Sequence, residues 1–398
     1  MKILHIYDGD GKVSPEASVS SVVYYLTREL AKLNNEVTIL ERRTSNDPFT
    51  EIRDNIRYVR VEGRKLAQLP YKEVKKTFTG IFRLILDRKI LSIKFHNILK
   101  RKEFDIIHFH FPFTANILIN LNRNLRRKAV YTAHIGEEKI RLALDHSTPV
   151  ILKVFSPDLY LIKRVRKTVI LNKFLKNILV KKGIPSERLE IIPNGVDVKE
   201  FSLDKDYVTY VRRKYGLKGI TVMFAGTVTP RKGVLHLIKA MENLKNEDVT
   251  LLVVGSLKVD EEYSKNIMDY AKRKNVNVKF AGFVPRKELK ALYLASDIFV
   301  LPSLGEGSSI VLMEALASGK PLIGSNVGGN PMQIRDGWNG FLVEPGNEKQ
   351  LTEKIKYLAE NEKERKRMGE KSRKLAEEEF SWSMIAKKYL RVYEEIVD

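Results

Sequence analysis

Two carboxylates eight residues apart, Glu306 and Glu314, stand in the segment Ser303-Leu-Gly-Glu306-Gly-Ser-Ser-Ile-Val-Leu-Met-Glu314-Ala-Leu-Ala-Ser-Gly-Lys-Pro321. The first sits in a Gly/Ser-rich turn and the second inside an apolar run. The turn reads as a helix start capped by Ser308 or Ser309, and the amides of such a terminus form an anion site. From Ile310 to Ala317 only Glu314 is not apolar, so this helix is expected to be buried all round. A lone buried carboxylate is costly unless donors meet it, and sugar hydroxyls are donors of the right kind. The plainer alternative makes Glu306 a solvated loop acid and Glu314 a half-exposed helix residue.

Other chemistry-bearing residues fall where strands end. Phe224-Ala-Gly226-Thr-Val-Thr-Pro230-Arg231-Lys232-Gly233 sets two cations beside a Gly-rich turn at a helix start, which suits a diphosphate. Val254-Gly255-Ser256 and Phe280-Ala-Gly282-Phe283-Val284-Pro285 carry small residues that let a flat ring, such as a base, approach the backbone. Glycine after a strand is also ordinary turn chemistry. Val130-Tyr-Thr-Ala-His134 ends in an imidazole, whose plainer reading is a structural histidine. His108 and His110 alternate with apolar neighbours and read as structural. With no His-x3-His spacing and no Cys, no metal centre is expected. Asp8-Gly9-Asp10 reads as a tight turn rather than a chelator of a divalent ion. Gly9-Asp-Gly11-Lys-Val-Ser is too short between glycines for a P-loop and lacks the third glycine of a dinucleotide fingerprint.

These residues need a scaffold of alternating strands and helices. Short apolar runs at 2–7, 36–40, 56–61, 106–109, 129–133, 168–171 and 189–192 read as strands of one parallel sheet. Those at 221–225, 249–254, 276–280, 298–301, 321–324 and 340–343 read as strands of a second. Helical patterns such as 18–33, 233–244, 261–274, 286–295 and 348–359 fill the gaps. The expected fold class is α/β with two doubly wound, Rossmann-like domains. Their seam is expected at about 203–217, a polar stretch after Pro193-Asn-Gly-Val-Asp197. Ligands of such sheets sit beyond the C-terminal strand ends, where the motifs above cluster.

Composition sets outer bounds. At 398 residues the chain exceeds what one core usually serves, and 43% hydrophobic residues can fill two. Absent cysteine excludes disulfide and thiolate chemistry. No run approaches a membrane span and the N-terminus does not read as a secretory leader, so a cytoplasmic protein is expected. Net charge is +22, of which residues 1–210 carry +15. Residues 72–102 hold ten basic and two acidic side chains interleaved with apolar ones. That suits an amphipathic helix on an anionic membrane surface, or else a core-packed helix with a solvated basic face.

In order along the chain, these pieces resemble the retaining glycosyltransferases of family 4, which have the GT-B fold. The resemblance rests on Asp105-Ile-Ile-His-Phe-His110, Thr132-Ala-His134, Ile192-Pro-Asn-Gly-Val-Asp197, Pro230-Arg-Lys-Gly233, Glu306-x7-Glu314 and Asn326-Val-Gly-Gly-Asn-Pro331. It extends to Asp336-Gly-Trp-Asn-Gly-Phe-Leu-Val343 and Phe380-Ser-Trp382. It implies two Rossmann-like domains facing a cleft: an acceptor-side domain over 1–205, a donor-binding domain over 206–380, and a C-terminal helix over 381–398 that crosses back to the first.

The resemblance further implies a nucleotide-diphospho-sugar donor, a substrate rather than a cofactor, and no metal. Arg231 and Lys232 would neutralise the diphosphate, and Glu306 would orient the sugar hydroxyls. Amides from Gly307 through Ser308 and Ser309 to Ile310 would reach the phosphates. Glu314 would accept from the ribose, Phe283 and Val284 would border the base, and Gly226 and Gly255 would line the donor. Gly11, Ala17 and His134 would lie on the acceptor side, His134 also near the transferred sugar. Retention by front-side attack needs no protein nucleophile.

The chain departs from the family pattern at Thr227, where Arg is frequent, at Ala17-Ser18, where a Gly-Gly pair is usual, at Glu306-Gly-Ser-Ser in place of Glu-Gly-Phe-Gly, and after Pro331, where an acid is usual. The acceptor expected is a hydroxyl compound, lipid-linked or membrane-associated, reached by peripheral binding at the inner membrane face. The rival readings are a nucleotide-sugar epimerase of the same fold and a basic binder of membranes or nucleic acid. Nucleic acid is disfavoured because the charge lacks the exposed aromatics of an RNA platform.

Overall fold

A computed structural model describes residues 1–9, 11–15, 18–43, 47–62, 78–134, 157–244 and 248–398. The chain forms two compact units, Met1–Ile192 with Trp382–Asp398, and Pro193–Ser381. Ala17 and Asp10, and residues 72–77 of the basic segment, lie outside the described residues.

The first unit is an eight-stranded sheet: β1 (Lys2–Tyr7), β2 (Glu36–Arg43), β3 (Thr50–Arg53), β4 (Ile56–Glu62), β5 (Ile106–Phe109), β6 (Ala129–Thr132), β7 (Lys167–Ile170) and β8 (Leu189–Ile191). Their order is β3-β4-β2-β1-β5-β6-β7-β8, parallel throughout except for the antiparallel pair β3 and β4. The edge strand β3 is not among the expected strands because Thr50-Glu-Ile-Arg53 has no buried face; Ile52 is exposed. It forms because Asp54 and Asn55 adopt left-handed φ of 53° and 61°, the geometry of a two-residue hairpin turn.

Alternation along β1 divides the core. Leu4 and Ile6 join one apolar layer with Phe95, Ile107 and Phe109, while Ile3 and Tyr7 join the other with Val22, Leu26, Ile385 and Tyr389. The closing helix, Trp382–Val397, packs in that second layer against the helix Ser18–Lys32, and the rings of Tyr25 and Trp382 stack with centroids 5.8 Å apart.

The helix Phe78–Leu99 covers the first layer. Asp87, Leu91, Ser92 and Phe95 form its buried stripe, with Asp87 held by Arg42 of β2 at 2.6 Å. Arg88 turns inward and donates to the backbone carbonyl of Asp8, so this part of the basic segment packs on the core rather than presenting every cation to solvent. Ile85, Lys89 and Ile93 form its exposed stripe.

The second unit is a six-stranded, wholly parallel sheet: β9 (Ile220–Ala225), β10 (Val249–Val254), β11 (Val278–Gly282), β12 (Ile298–Leu301), β13 (Leu322–Ser325) and β14 (Gly340–Val343). Its order is β11-β10-β9-β12-β13-β14. The boundary differs from the expected seam. Residues 203–217 are polar yet folded: Asp204 caps the helix Lys205–Lys214, Val211 is buried, and Lys214 and Tyr215 both bind Glu288 on the helix Arg286–Ala295. The charges there serve a packed helix, not a linker. The first unit therefore ends at Ile192 rather than 205, and the second spans Pro193–Ser381.

Candidate functional site

In the second unit β9 and β12 are neighbours whose chains leave in opposite directions, β9 towards β10 and β12 towards β13. A crevice opens beyond such a switch point. The loop after β9 carries Gly226, Arg231 and Lys232; the loop after β12 carries Ser303 to Ser309. Lys232 Nζ lies 2.6 Å from Glu306 Oε1, and both side chains are nearly buried. Arg231 Nη1 donates to the Gly305 carbonyl at 2.6 Å and lies 3.8 Å from Glu306, and the Leu304 amide donates to the Arg231 carbonyl at 2.8 Å. Two loops far apart in sequence are thus clasped by charge and backbone together.

Close packing of loops needs glycine at two places. Gly255, with φ of 142°, passes so near Gly226 that a Cβ would fall 1.9 Å from the Gly226 carbonyl oxygen. At Gly328, φ of 51°, a Cβ would fall 1.7 Å from the Glu306 carbonyl oxygen. The loop after β13 therefore backs directly onto the glutamate.

The helix Ile310–Ala317 starts as its sequence demands. Ser309 Oγ accepts from the Leu312 amide. Ser308 Oγ accepts from the Asn194 amide at 3.1 Å, Asn194 Nδ2 donates to the Ser308 carbonyl at 3.1 Å, and Gln333 Nε2 donates to the Ser309 carbonyl at 3.1 Å. These bonds hold the turn while the first-turn amides, among them that of Ile310, form the positive end of the helix. Around it, Ser303 Oγ, Ser325 Oγ, Asn330 Oδ1 and Gln333 Oε1 are buried with no partner among the described residues. Such orphans are rare in folded chains and mark places where a ligand or water completes the bonding.

Glu314 is buried, as its helix requires, but the donor that meets it is Arg286. The guanidinium also lies 3.3 Å from Glu200, which Lys290 approaches at 2.7 Å. Burial and the adjacent Glu314 carboxylate push the Tyr293 phenol well above its usual range. Phe283 and Val284 part company: Phe283 is 84% exposed, whereas Val284 sits in the core, so only the phenylalanine presents a side chain to solvent. Sequence reasoning gave no role to Arg286, Glu200 or Asn194. Arg286 stood one residue beyond a segment already singled out and Asn194 lay inside the quoted motif Ile192-Pro-Asn-Gly-Val-Asp197, whereas Glu200 carried no local signal.

The first unit has a switch point of its own, between β1 and β5. Asp8, at the end of β1, is buried; its Oδ2 accepts from Thr114 Oγ1 at 2.5 Å, while Oδ1 has no partner among the described residues. Gly11 follows in the same loop, half-buried. His5, His108 and His110 project from one face of the sheet, and their ring nitrogens lie within 4.8 Å of one another. The spacing argument against a metal did not foresee this cluster, because His5 comes from another strand, in register with His108. Its nitrogens are largely taken. His108 engages Tyr393 Oη at 2.6 Å and Thr132 Oγ1 at 2.7 Å; His110 engages His5 at 3.0 Å and His134 at 3.2 Å. Burial lowers His5 to a pKa of about 3 and His134 to about 4, and lowers His108 and His110 well below the ordinary value. All four imidazoles are neutral at pH 7.

With this geometry in view, the chain was compared with known proteins. Residues 211–375 match the family model described as glycosyl transferases group 1, and residues 19–200 match the one described as Glycosyltransferase Family 4. An uncharacterized glycosyltransferase of Methanocaldococcus jannaschii is 30% identical over 328 residues, covering 81% of this chain and 83% of that protein. Among solved structures, sucrose-phosphate synthase of Thermosynechococcus elongatus superposes with a TM-score of 0.77 at 21% identity, covering 99% and 98% of the two chains. The Anabaena protein HepE, solved in complex with UDP and glucose, gives 0.74 at 19% identity, covering 99% and 100%.

Proposed function

The chain belongs to glycosyltransferase family 4 and has the GT-B fold, and from that premise we propose that it moves a sugar from a nucleoside-diphosphate donor to an acceptor hydroxyl, retaining the anomeric configuration and using no metal. The observation that carries this reading is the pairing of Lys232 with Glu306 at the switch point of the second sheet. In the donor complex Lys232 and Arg231 face the diphosphate and stabilise the charge that grows on it as the glycosidic bond breaks. Glu306 accepts from the sugar hydroxyls, and the amides of residues 307–310 add donors at the positive helix end.

Glu314, with one oxygen engaged by Arg286, accepts from the ribose hydroxyls through the other. Phe283 borders the base. His134, in the first unit, donates to the acceptor. Acceptor attack from the face the leaving group departs passes the hydroxyl proton to a phosphate oxygen, so no protein nucleophile takes part. HepE has also been solved in complex with UDP-glucose, which makes that nucleotide sugar the first donor to test.

For the acceptor, the reading is a hydroxyl compound carried on a lipid or at an anionic membrane surface. It is supported by the exposed stripe Ile85, Lys89 and Ile93, where two apolar side chains flank a cation. No described helix is long and apolar enough to cross a membrane. Labelled nucleotide sugars incubated with the full chain and lipid extracts test the whole. The expected result is acceptor-dependent release of nucleoside diphosphate in the presence of a chelator, with label on the acceptor and the donor's anomeric configuration preserved. Sugar isomerised at one carbon without transfer would overturn it.

A further inference from the structure

Three histidines from three different strands of the first sheet, or from the loop ends beyond them, are linked ring to ring. His5 Nδ1 meets His110 Nε2 at 3.0 Å, and His110 Nδ1 meets His134 Nε2 at 3.2 Å. The rings of His5 and His110 stack with centroids 5.3 Å apart, and those of His110 and His134 with centroids 5.5 Å apart. Strand alternation explains the line-up: His5 on β1 and His108 and His110 on or just past β5 share one face, which Thr132 and Tyr389 also join. The chain ends blindly at one end and openly at the other. Among the described residues His5 Nε2 is buried with no partner, whereas His134 is partly exposed beyond the C-terminal end of β6.

Only two proton arrangements satisfy both ring contacts when all three imidazoles are neutral, because each neutral ring has one donor and one acceptor nitrogen. In one, His134 Nε2–H donates to His110, His110 Nε2–H donates to His5, and a buried Nε2–H of His5 is left without an acceptor. In the other, His5 Nδ1–H donates to His110, His110 Nδ1–H donates to His134, and the orphan at His5 is a lone pair. A buried donor without an acceptor is the rarer defect.

We infer that the His5–His110–His134 chain is a tautomer lock that fixes His134 with its proton on Nδ1, presenting an N–H donor at the C-terminal edge of the sheet. The lock makes His5 and His110 positioning residues. It rests on the proposed function only in assigning that donor's target, an oxygen of the bound acceptor, and it excludes His134 as the base that takes the acceptor's proton. A metal ion would destroy the arrangement, since it would have to displace the ring-to-ring bonds.

The test is selective nitrogen-15 labelling of the seven histidines of the full chain, read by NMR without donor, with the His134 signals assigned from a His134→Asn sample. The lock predicts one-bond proton coupling on His134 Nδ1 and a bare, hydrogen-bonded Nε2. In His5→Asp, whose ionised carboxylate only accepts, His110 donates from Nε2, the chain of bonds reverses and His134 shifts to the Nε2–H form, while His5→Asn, whose amide can donate from the Nδ1 position, keeps the wild-type pattern. Should His5→Asp not fold, the wild-type spectrum and His5→Asn still decide. An Nε2–H form of His134 in the wild type, or one zinc per chain in the purified protein, would overturn the inference. Because the signature is read without donor, absence of sugar transfer would leave it standing and overturn only the function.

Discussion

Lys232 Nζ and Glu306 Oε1, 2.6 Å apart, join the loop after β9 to the loop after β12 at the point where the second sheet reverses its strand order. A nearly buried pair of this kind is self-neutralising before a ligand arrives. An incoming diphosphate can take over part of the ammonium's charge while sugar hydroxyls take over part of the carboxylate's. The exchange keeps charge balanced at every stage, which matters for two charged groups largely withdrawn from solvent.

Removing Lys232 leaves Glu306 with only the longer, more exposed approach of Arg231 at 3.8 Å, so the cost is a part of the ~3–5 kcal/mol seen when a buried pair is broken. Lys232→Ala should therefore lower the melting temperature markedly. The double variant Lys232→Ala/Glu306→Ala should melt above the single one, although both lack transferase activity. Differential scanning calorimetry of the four proteins closes the cycle; equal melting of single and double variants would remove the argument.

Phe283 is largely solvent-exposed in the described structure, so Phe283→Ala should leave the melting temperature of the free protein within error. If it borders the base, nucleotide affinity falls by roughly tenfold, the loss expected for a stacking contact worth about 1–3 kcal/mol. Calorimetric titration with UDP and with the bare diphosphate separates the two: the diphosphate should not sense the change.

Acid should destabilise the first unit through its histidines. Their folded pKa values, about 3 for His5 and about 4 for His134, lie below the unfolded value near 6.5. Between these limits the unfolded chain binds more protons, so stability falls as pH drops from about 6.5 towards 4. Urea midpoints measured at pH 7.5, 6 and 5 should decline. His5→Asn, which cannot titrate there, should decline less steeply.

Lys320 gives a second window of the same sign at alkaline pH. Burial pushes it down to about 8, while it donates to the Leu294 and Ser296 carbonyls at 2.9 and 2.7 Å. Between about 8 and the unfolded value near 10.5 the unfolded chain again holds more protons, so this group makes stability rise with pH. Lys320→Met should flatten that rise in urea titrations run from pH 7.5 to 9.5.

The strands legible in the sequence were apolar runs withdrawn wholly or largely from solvent: β5, β10 and β12 are buried at every residue, β1 at all but Lys2, and β14 is half-buried at Phe341 and Leu342. β1, β5, β10, β12 and β14 stand where their apolar runs do, because a strand covered on both faces needs nothing but apolar side chains. β3 was hidden, being polar and at an edge, and its signal was the Asp54-Asn55 turn rather than its own residues. Lys232 and Glu306 each stood out beside a glycine turn; that they touch depends on β9 lying beside β12, a matter of sheet order that no local pattern encodes. Arg286 reaches Glu314 across 28 residues, and His5 reaches His110 across 105, so both pairings belong to tertiary structure alone.

The central claim is that the second unit binds a nucleoside-diphosphate sugar at Lys232, Glu306 and Glu314. Thermal shift of the full chain across a panel of nucleotide sugars, with chelator present, tests it most directly, since a ligand bound only by the native state raises the melting temperature. The account predicts a clear rise with at least one of UDP-, GDP- or ADP-sugars, lost in Glu314→Ala and in Lys232→Ala. No rise with any of them, or a rise that survives in both variants, would contradict it.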